Sequence, residues 1–291
     1  MNPRAGSFTT SDESELRTMA YERGLRVVEI TRDIDVRQIV QETLAAGLRS
    51  FVVGGGDGSI HHVAQALVGT EGELGILPIG TVNHLARDLQ IPLEWRAALE
   101  VAVSGQLRQI DTGRINGHYF LNSVMVGLYP TISEYRERFR STHHKWRAYA
   151  MAIRLALRSY PHVTLVVDVE GKSDTIRTQL FVVSINSYDL TQSGLVSLKT
   201  SLDDGRLTVY SLAFMSRMQF VKTAAMYLRG RIHEVDGFRR VRTQTLRIDF
   251  AHHKMRVSVD GELMDLQSPL QITAVPASLL VRAPHNDPMI G

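Results

Sequence analysis

The sequence predicts two domains of different class: an α/β domain with a parallel sheet and helices, then a β-rich antiparallel sandwich. Three observations carry this. Strand-like and helix-like patterns alternate over the first ~110 residues, which is the signature of parallel strands joined by crossover helices. A short apolar run at 51–53 stops at Gly54-Gly55-Gly56 and passes directly into apolar residues at helical spacing. Beyond Asp111 the alternation gives way to hairpin signals. The expected boundary places 1–111 in the first domain and 112–277 in the second.

In chain order, Leu16, Met19 and Ala20 mark a helix ended by Gly24, and residues 25–30 read as a strand. Val36, Ile39, Val40 and Leu44 mark a second helix, ended by Gly47. The strand at 51–53 feeds the glycine turn and a helix carrying Ile60, Val63, Ala64 and Leu67. Residues 74–77 form the next strand, broken by Pro78 and Gly80, and Thr81 is placed to cap a helix carrying Leu85, Ala86 and Leu89. A further helix spans 95–103. In the second half, Asn116-Gly117 is a two-residue hairpin turn. Residues 162–170 and 175–185 pair around Gly171, and 207–212, 243–250 and 255–259 are further strands. Helical stretches cover about 136–159 and 218–229, and 284–291 reads as a tail.

The first glycine turn offers chemistry. A strand that ends in glycines and opens a helix presents bare backbone N–H groups and a helix N-terminus to an anion, so a phosphate fits there. Asp57 lies in the same turn, where it could hold magnesium or polarise a hydroxyl. The same glycines also serve a plain tight turn. No Gly-Lys-Ser/Thr follows, and the Gly-x-Gly-x-x-Gly spacing is missing, so neither a Walker loop nor a dinucleotide fingerprint is present. Gly56 is expected to need glycine torsions. Thr81 and Asn83 add neutral hydrogen-bonding groups from the second turn, and Asn2-Pro3-Arg4-Ala5-Gly6 is a third turn-forming run.

These three runs, in this order, resemble the diacylglycerol kinase catalytic family, which includes sphingosine and ceramide kinases and is related to NAD kinases. They match as Asn2 to Gly6, Gly55 to Ser59 and Pro78 to Arg87. Phe120-Leu121-Asn122 with Gly127, Leu202-Asp203-Asp204-Gly205 and Val259-Asp260-Gly261-Glu262 extend the resemblance over nearly the whole chain. The resemblance implies a lipid kinase that uses ATP and Mg2+ to phosphorylate a lipid carrying a free hydroxyl. It implies Glu262 as the proton acceptor and Asp57 as the partner of magnesium and phosphate. It implies nucleotide contacts from Asn2, Pro3, Arg4, Ala5, Gly6, Thr31, Gly55, Gly56, Asp57, Gly58, Ser59, Ile60, His61, Thr81 and Asn83. It also returns the last strand, with 278–291, to the first domain. Without the family, Asp260-Gly261 reads only as a hairpin turn.

The departures are specific. His84 stands where the family has Asp, and relatives carry a strand before their Asn-Pro motif, which is not expected here. Some bacterial relatives bind a structural magnesium with two side chains three apart and a nearby carbonyl. The corresponding positions are Ser201, Asp204 and Arg206, and Ser201 is no acid, so weak metal binding or none is expected. Two alternatives stay open: an NAD-kinase-like enzyme, against which the Asn-Pro and Asp-Gly-Glu motifs speak, and a non-catalytic nucleotide- or lipid-binding regulator.

Composition bounds the rest. An apolar share of 44% over 291 residues supports packed cores and argues against disorder. With no cysteine, disulfides and thiolate chemistry are excluded, which suits a reducing cytoplasm. No run approaches the ~20 apolar residues of a membrane span. The formal charge is only +3, but basic residues crowd 136–158 and 229–242. Such runs serve either as solvated faces or as contacts to anionic lipid headgroups. The expected location is therefore the cytoplasm, peripheral to the inner membrane face, with a homodimer admissible. No nucleic-acid motif is present. Adjacent histidines such as His61-His62 diverge on either a helix or a strand, which disfavours zinc.

Overall fold

The computed structural model describes residues 9–31, 34–140, 151, 154, 155, 158, 162–191, 197–214 and 216–285. The chain divides into two compact units, Met1–Thr112 with Ala277–Gly291, and Gly113–Pro276.

In the first unit, α1 (Thr10–Glu22) starts at a capping box, in which Thr9 and Asp12 satisfy each other's backbone N–H groups. α2 (Val36–Ala45) is capped by the Asp35 side chain. β1 (Ser50–Gly55) runs parallel to β2 (Glu73–Pro78), joined by α3 (Asp57–Leu67). α4 (His84–Asp88) and α5 (Trp95–Ser104) follow. The end of β13 (Leu270–Ala283) lies parallel to β2, pairing Leu280 with Glu73 and Val281 with Leu74. β3 (Gln106–Ile115) pairs with β13. Bonds from Gln106 to Pro284 and from Ala277 to Asp111 make that pair antiparallel. α3 and α5 cover β1 and β2, burying Ile60, Leu67, Leu74, Ile76 and Leu99.

Residues 25–30, expected as a strand, carry no strand assignment and pair with no named strand. Arg26, Val27 and Glu29 are exposed there. An apolar alternation becomes a strand only when a neighbouring ladder takes its backbone groups. Thr31 therefore sits in irregular chain rather than at a strand end.

The second unit is antiparallel. Asn116 and Gly117, both at positive φ, turn β3 into β4 (His118–Phe120). β5 (Ser123–Gly127) leads into α6 (Leu128–Arg140). β6 (Val163–Val169) and β7 (Lys172–Ile185) form a hairpin around Glu170 and Gly171, again both at positive φ. β7 then changes partners at a bulge between Thr178 and Leu180, and its second half lies between β5 and β8 (Leu207–Ala213). Gly127 serves this bulge: it sits at φ 97, and a Cβ there would lie 2.3 Å from the Gln179 carbonyl oxygen. α7 (Arg217–Leu228) and a short 3-10 turn precede β9 (Phe238–Thr243). β10 (Thr245–Asp249), β11 (Lys254–Val259) and β12 (Glu262–Gln267) complete the unit. Its core joins Phe120, Val124, Leu165, Phe181, Ile185 and Ile248.

The strand expected at 243–250 is thus two elements, split at Gln244, and β9 and β12 were not foreseen. β9 shows four exposed positions in a row, three of them arginine, so it lacks the alternation that marks a half-buried strand. Most of the basic stretch at 136–158 lies outside the described residues.

Candidate active site

The first unit brings the two glycine turns together through one carboxylate. Asp57 accepts from the backbone N–H of Asn83 at 3.0 Å with one oxygen and from that of His84 at 2.6 Å with the other. Asn83 occupies the N-cap position of α4 in the left-handed region, with φ 57 and ψ 53, and makes no side-chain cap of its own. Asp57 therefore caps α4 from a different helix. The expected cap, Thr81, lies two residues too early. Asn83 instead braces its own turn: its Oδ1 accepts from Gly80 N–H, and its Nδ2 donates to the carbonyls of Pro78 and Gly80, all at 3.0 Å.

The glycines of this region provide space rather than torsion. Gly56 has φ −89 and ψ −177, a conformation open to any residue, contrary to the expectation. A Cβ on Gly80, however, would stand 2.4 Å from the Gly56 Cα, and one on Gly55 would stand 2.5 Å from the Ser59 Cβ. Asp57, Gly58 and Ser59 open α3, whose first internal bond runs from Ile60 N–H to the Gly56 carbonyl at 3.1 Å. The amides of those three residues have no carbonyl one turn back, so they stand at the positive end of the helix, where an anion would be favoured. The side chains of Ile60 and His61 are buried, and His61 contacts Gln65. They anchor the helix rather than border an open turn. Asn2 to Gly6 lie outside the described residues.

The second unit holds a parallel device. Asp260, at φ 48 in the turn between β11 and β12, accepts from three successive amides. Leu121 N–H reaches Oδ2 at 2.7 Å, and Asn122 and Ser123 N–H reach Oδ1 at 2.8 Å. In return Asp260 N–H donates to the Ser123 carbonyl at 2.9 Å. Lys199 Nζ donates to the Leu121 carbonyl at 2.7 Å, and the Tyr188 hydroxyl donates to Asn122 Oδ1. Tyr188 N–H in turn donates to the hydroxyl of Tyr210, whose pKa burial pushes up. Glu262 opens β12 opposite Val259 and is exposed. Its backbone position is thus fixed while its carboxylate faces solvent.

The loop at Ser201, Asp204 and Arg206 does not fit a metal. Ser201 bonds the side chain of Asp203, Asp204 is paired with Arg242 at 2.7 Å, and the Arg206 carbonyl accepts from Asn186 N–H at 2.8 Å. A hard cation needs several free charged oxygens, and here a guanidinium already neutralises the single carboxylate at the metal position. Among the described residues no group of three His, Asp or Glu could hold a metal ion. Lys199, Tyr188 and Arg242 were not singled out for these roles in the sequence. Their partners lie 38 to 78 residues away, so no local pattern marks them.

Residues 1–115 match the diacylglycerol kinase catalytic domain, and residues 122–283 match the YegS C-terminal NAD kinase beta sandwich-like domain. A protein of Pseudomonas aeruginosa named "Probable lipid kinase YegS-like" is 31% identical over 275 residues, covering 92% of this chain and 87% of its own. A protein of Mycobacterium tuberculosis named diacylglycerol kinase is 30% identical over 274 residues, covering 91% and 87%. A crystal structure of a diacylglycerol kinase from Bacillus anthracis shares the fold at a TM-score of 0.70 with 18% identity, covering 99% of this chain and 96% of that one. With these two domains matched in order and relatives 30–31% identical over nearly the whole chain, the chain belongs to the diacylglycerol kinase family of lipid kinases.

Proposed function

We propose that the protein transfers the γ-phosphoryl group of ATP to a hydroxyl of a diacylglycerol-like lipid. The observation that carries this reading is the Asp57 clamp, which fixes the N-terminus of α3 beside the turn at Gly80 to His84. Two backbone segments held together in advance suit phosphoryl transfer, where positioning and charge neutralisation supply most of the catalysis. The amides of Asp57, Gly58 and Ser59 bind phosphate oxygens, Gly55 lets Ser59 close against the turn, and Gly56 and Thr81 border the nucleotide. Asp57 acts as a positioning residue through its two amide bonds and would be the carboxylate nearest the phosphates to hold a magnesium ion accompanying ATP. That ion neutralises charge on the phosphates when bound.

Glu262 takes the proton of the lipid hydroxyl as the oxygen attacks the γ-phosphorus; the bond to the ADP oxygen breaks and ADP leaves. The side chain is exposed, open to an acceptor hydroxyl. Asp260 positions the hairpin that carries it. The test is transfer of radiolabelled phosphate from ATP to diacylglycerol, to other hydroxylated lipids and to NAD, with the product identified by mass. Label in a phosphorylated lipid supports the reading. Label in NAD alone, or in no acceptor, overturns it.

A further inference from the structure

α7 carries apolar residues on two faces. Phe220, Thr223 and Tyr227 turn inward, and Phe220 and Tyr227 pack against the small core of Leu212 and Ile232. On the opposite face Met218, Val221 and Leu228 are 68%, 54% and 44% exposed. At 100° per residue these three fall on one stripe, about half a turn from the inward set. Lys222 and Arg229 stand exposed beside it, and α7 contains no acidic residue. The nearest acid after the helix, Glu234, is occupied by Arg231 at 2.5 Å. A surface helix ordinarily turns polar residues outward. An outward apolar stripe with a basic rim matches the headgroup layer of an anionic bilayer: alkyl groups enter the acyl boundary and cations meet lipid phosphates.

We infer that the outer face of α7 docks the protein onto anionic lipid bilayers. The purpose of such docking rests on the lipid kinase reading, because a diacylglycerol-like acceptor lies in a membrane. No helix among the described residues is long and apolar enough to cross one. The residues involved, 218–229, are distinct in sequence from the basic stretch at 136–158, so each can be substituted alone.

The experiment is cosedimentation of the full chain with vesicles of phosphatidylcholine, alone or mixed with phosphatidylglycerol. Wild-type protein binds the anionic vesicles more strongly, and salt weakens the binding. Lys222→Glu with Arg229→Glu lowers partition to anionic vesicles at least about 30-fold and leaves neutral vesicles unaffected. Met218→Ser, Val221→Ser and Leu228→Ser together lower partition to both by about 10-fold or more. Phosphorylation of a short-chain diacylglycerol in solution is kept by both variants. Wild-type protein that ignores vesicles, or variants that bind like wild type, overturn the surface. So does an apolar-to-serine variant that converts a dimer to a monomer in ultracentrifugation with vesicle binding intact, since the stripe is then a subunit interface. Vesicle binding without any phosphorylation supports the surface and overturns the kinase reading; phosphorylation without vesicle binding does the reverse.

Discussion

In Met1–Thr112 with Ala277–Gly291, Asp57 gathers the amides of Asn83 and His84, which lie 26 and 27 residues away. In Gly113–Pro276, Asp260 gathers the amides of Leu121, Asn122 and Ser123, which lie 137 to 139 residues away. Both carboxylates do the same physical work: they fix a turn by satisfying backbone donors that secondary structure leaves open. They differ in what each turn is for. The Asp57 clamp aligns two turns that, in the proposed reaction, both contact phosphate, so its loss is expected to be felt in chemistry. The Asp260 clamp closes a hairpin against a distant strand, so its loss is felt in the fold as well.

The comparison can be broken most directly at Asp260. Asp260→Ala leaves three amides without their acceptor and puts alanine at positive φ. Stability to urea is expected to fall by about 3–5 kcal/mol. A fall under about 1 kcal/mol would show that the clamp is not structural. Glu262→Gln has the opposite profile: lipid phosphorylation drops at least ~100-fold while the urea midpoint stays put, because the side chain is exposed. Wild-type turnover in that variant removes Glu262 as the proton acceptor.

Asp57→Asn falls between these. One oxygen still accepts, the charge is lost, and phosphorylation is expected to drop ~100-fold with stability lowered by about 1–2 kcal/mol. Unaltered activity would make the clamp incidental. Gly80→Ala sharpens the point, since its methyl must push the two turns apart at the Gly56 backbone. ATP affinity measured by calorimetry is expected to weaken about 10-fold, with a stability loss of about 1–3 kcal/mol. Gly56→Ala, whose added carbon would sit 3.5 Å from the nearest atom, is the mild control. The smallest effect concerns the loop at Ser201. The thermal midpoint of wild-type protein is expected to be the same in EDTA and in magnesium, whereas Ser201→Asp with Arg242→Ala gains magnesium dependence. A magnesium-dependent midpoint in wild type would mean that Arg242 does not replace the ion.

Local chemistry decided what could be read in advance. The glycine turns were legible because strand, glycines and helix follow one another within a dozen residues. The Asn116-Gly117 and Gly171 hairpins were legible because their turn chemistry is local. Asp260-Gly261 is a hairpin turn, as it reads without the family resemblance, but the side-chain role of Asp260 depends on residues near 121, which no window contains. β9 was hidden by Arg239, Arg240 and Arg242, whose spacing suggests a solvated charge run until β8 supplies the ladder. The stretch at 25–30 is the converse case, a suitable pattern that carries no strand assignment among the described residues.

The return of β13 sets an order on synthesis. Leu280 and Val281 pair with β2, so the first unit lacks one strand of its sheet until nearly the whole chain has been made. Gly113–Pro276 is one uninterrupted stretch of chain and needs no later segment to close. Until that moment the nascent first unit presents an unpaired β2 edge at Glu73 and Leu74, the kind of edge that recruits other chains. Pauses or truncations after about residue 276 should therefore yield a folded second unit attached to an aggregation-prone first one.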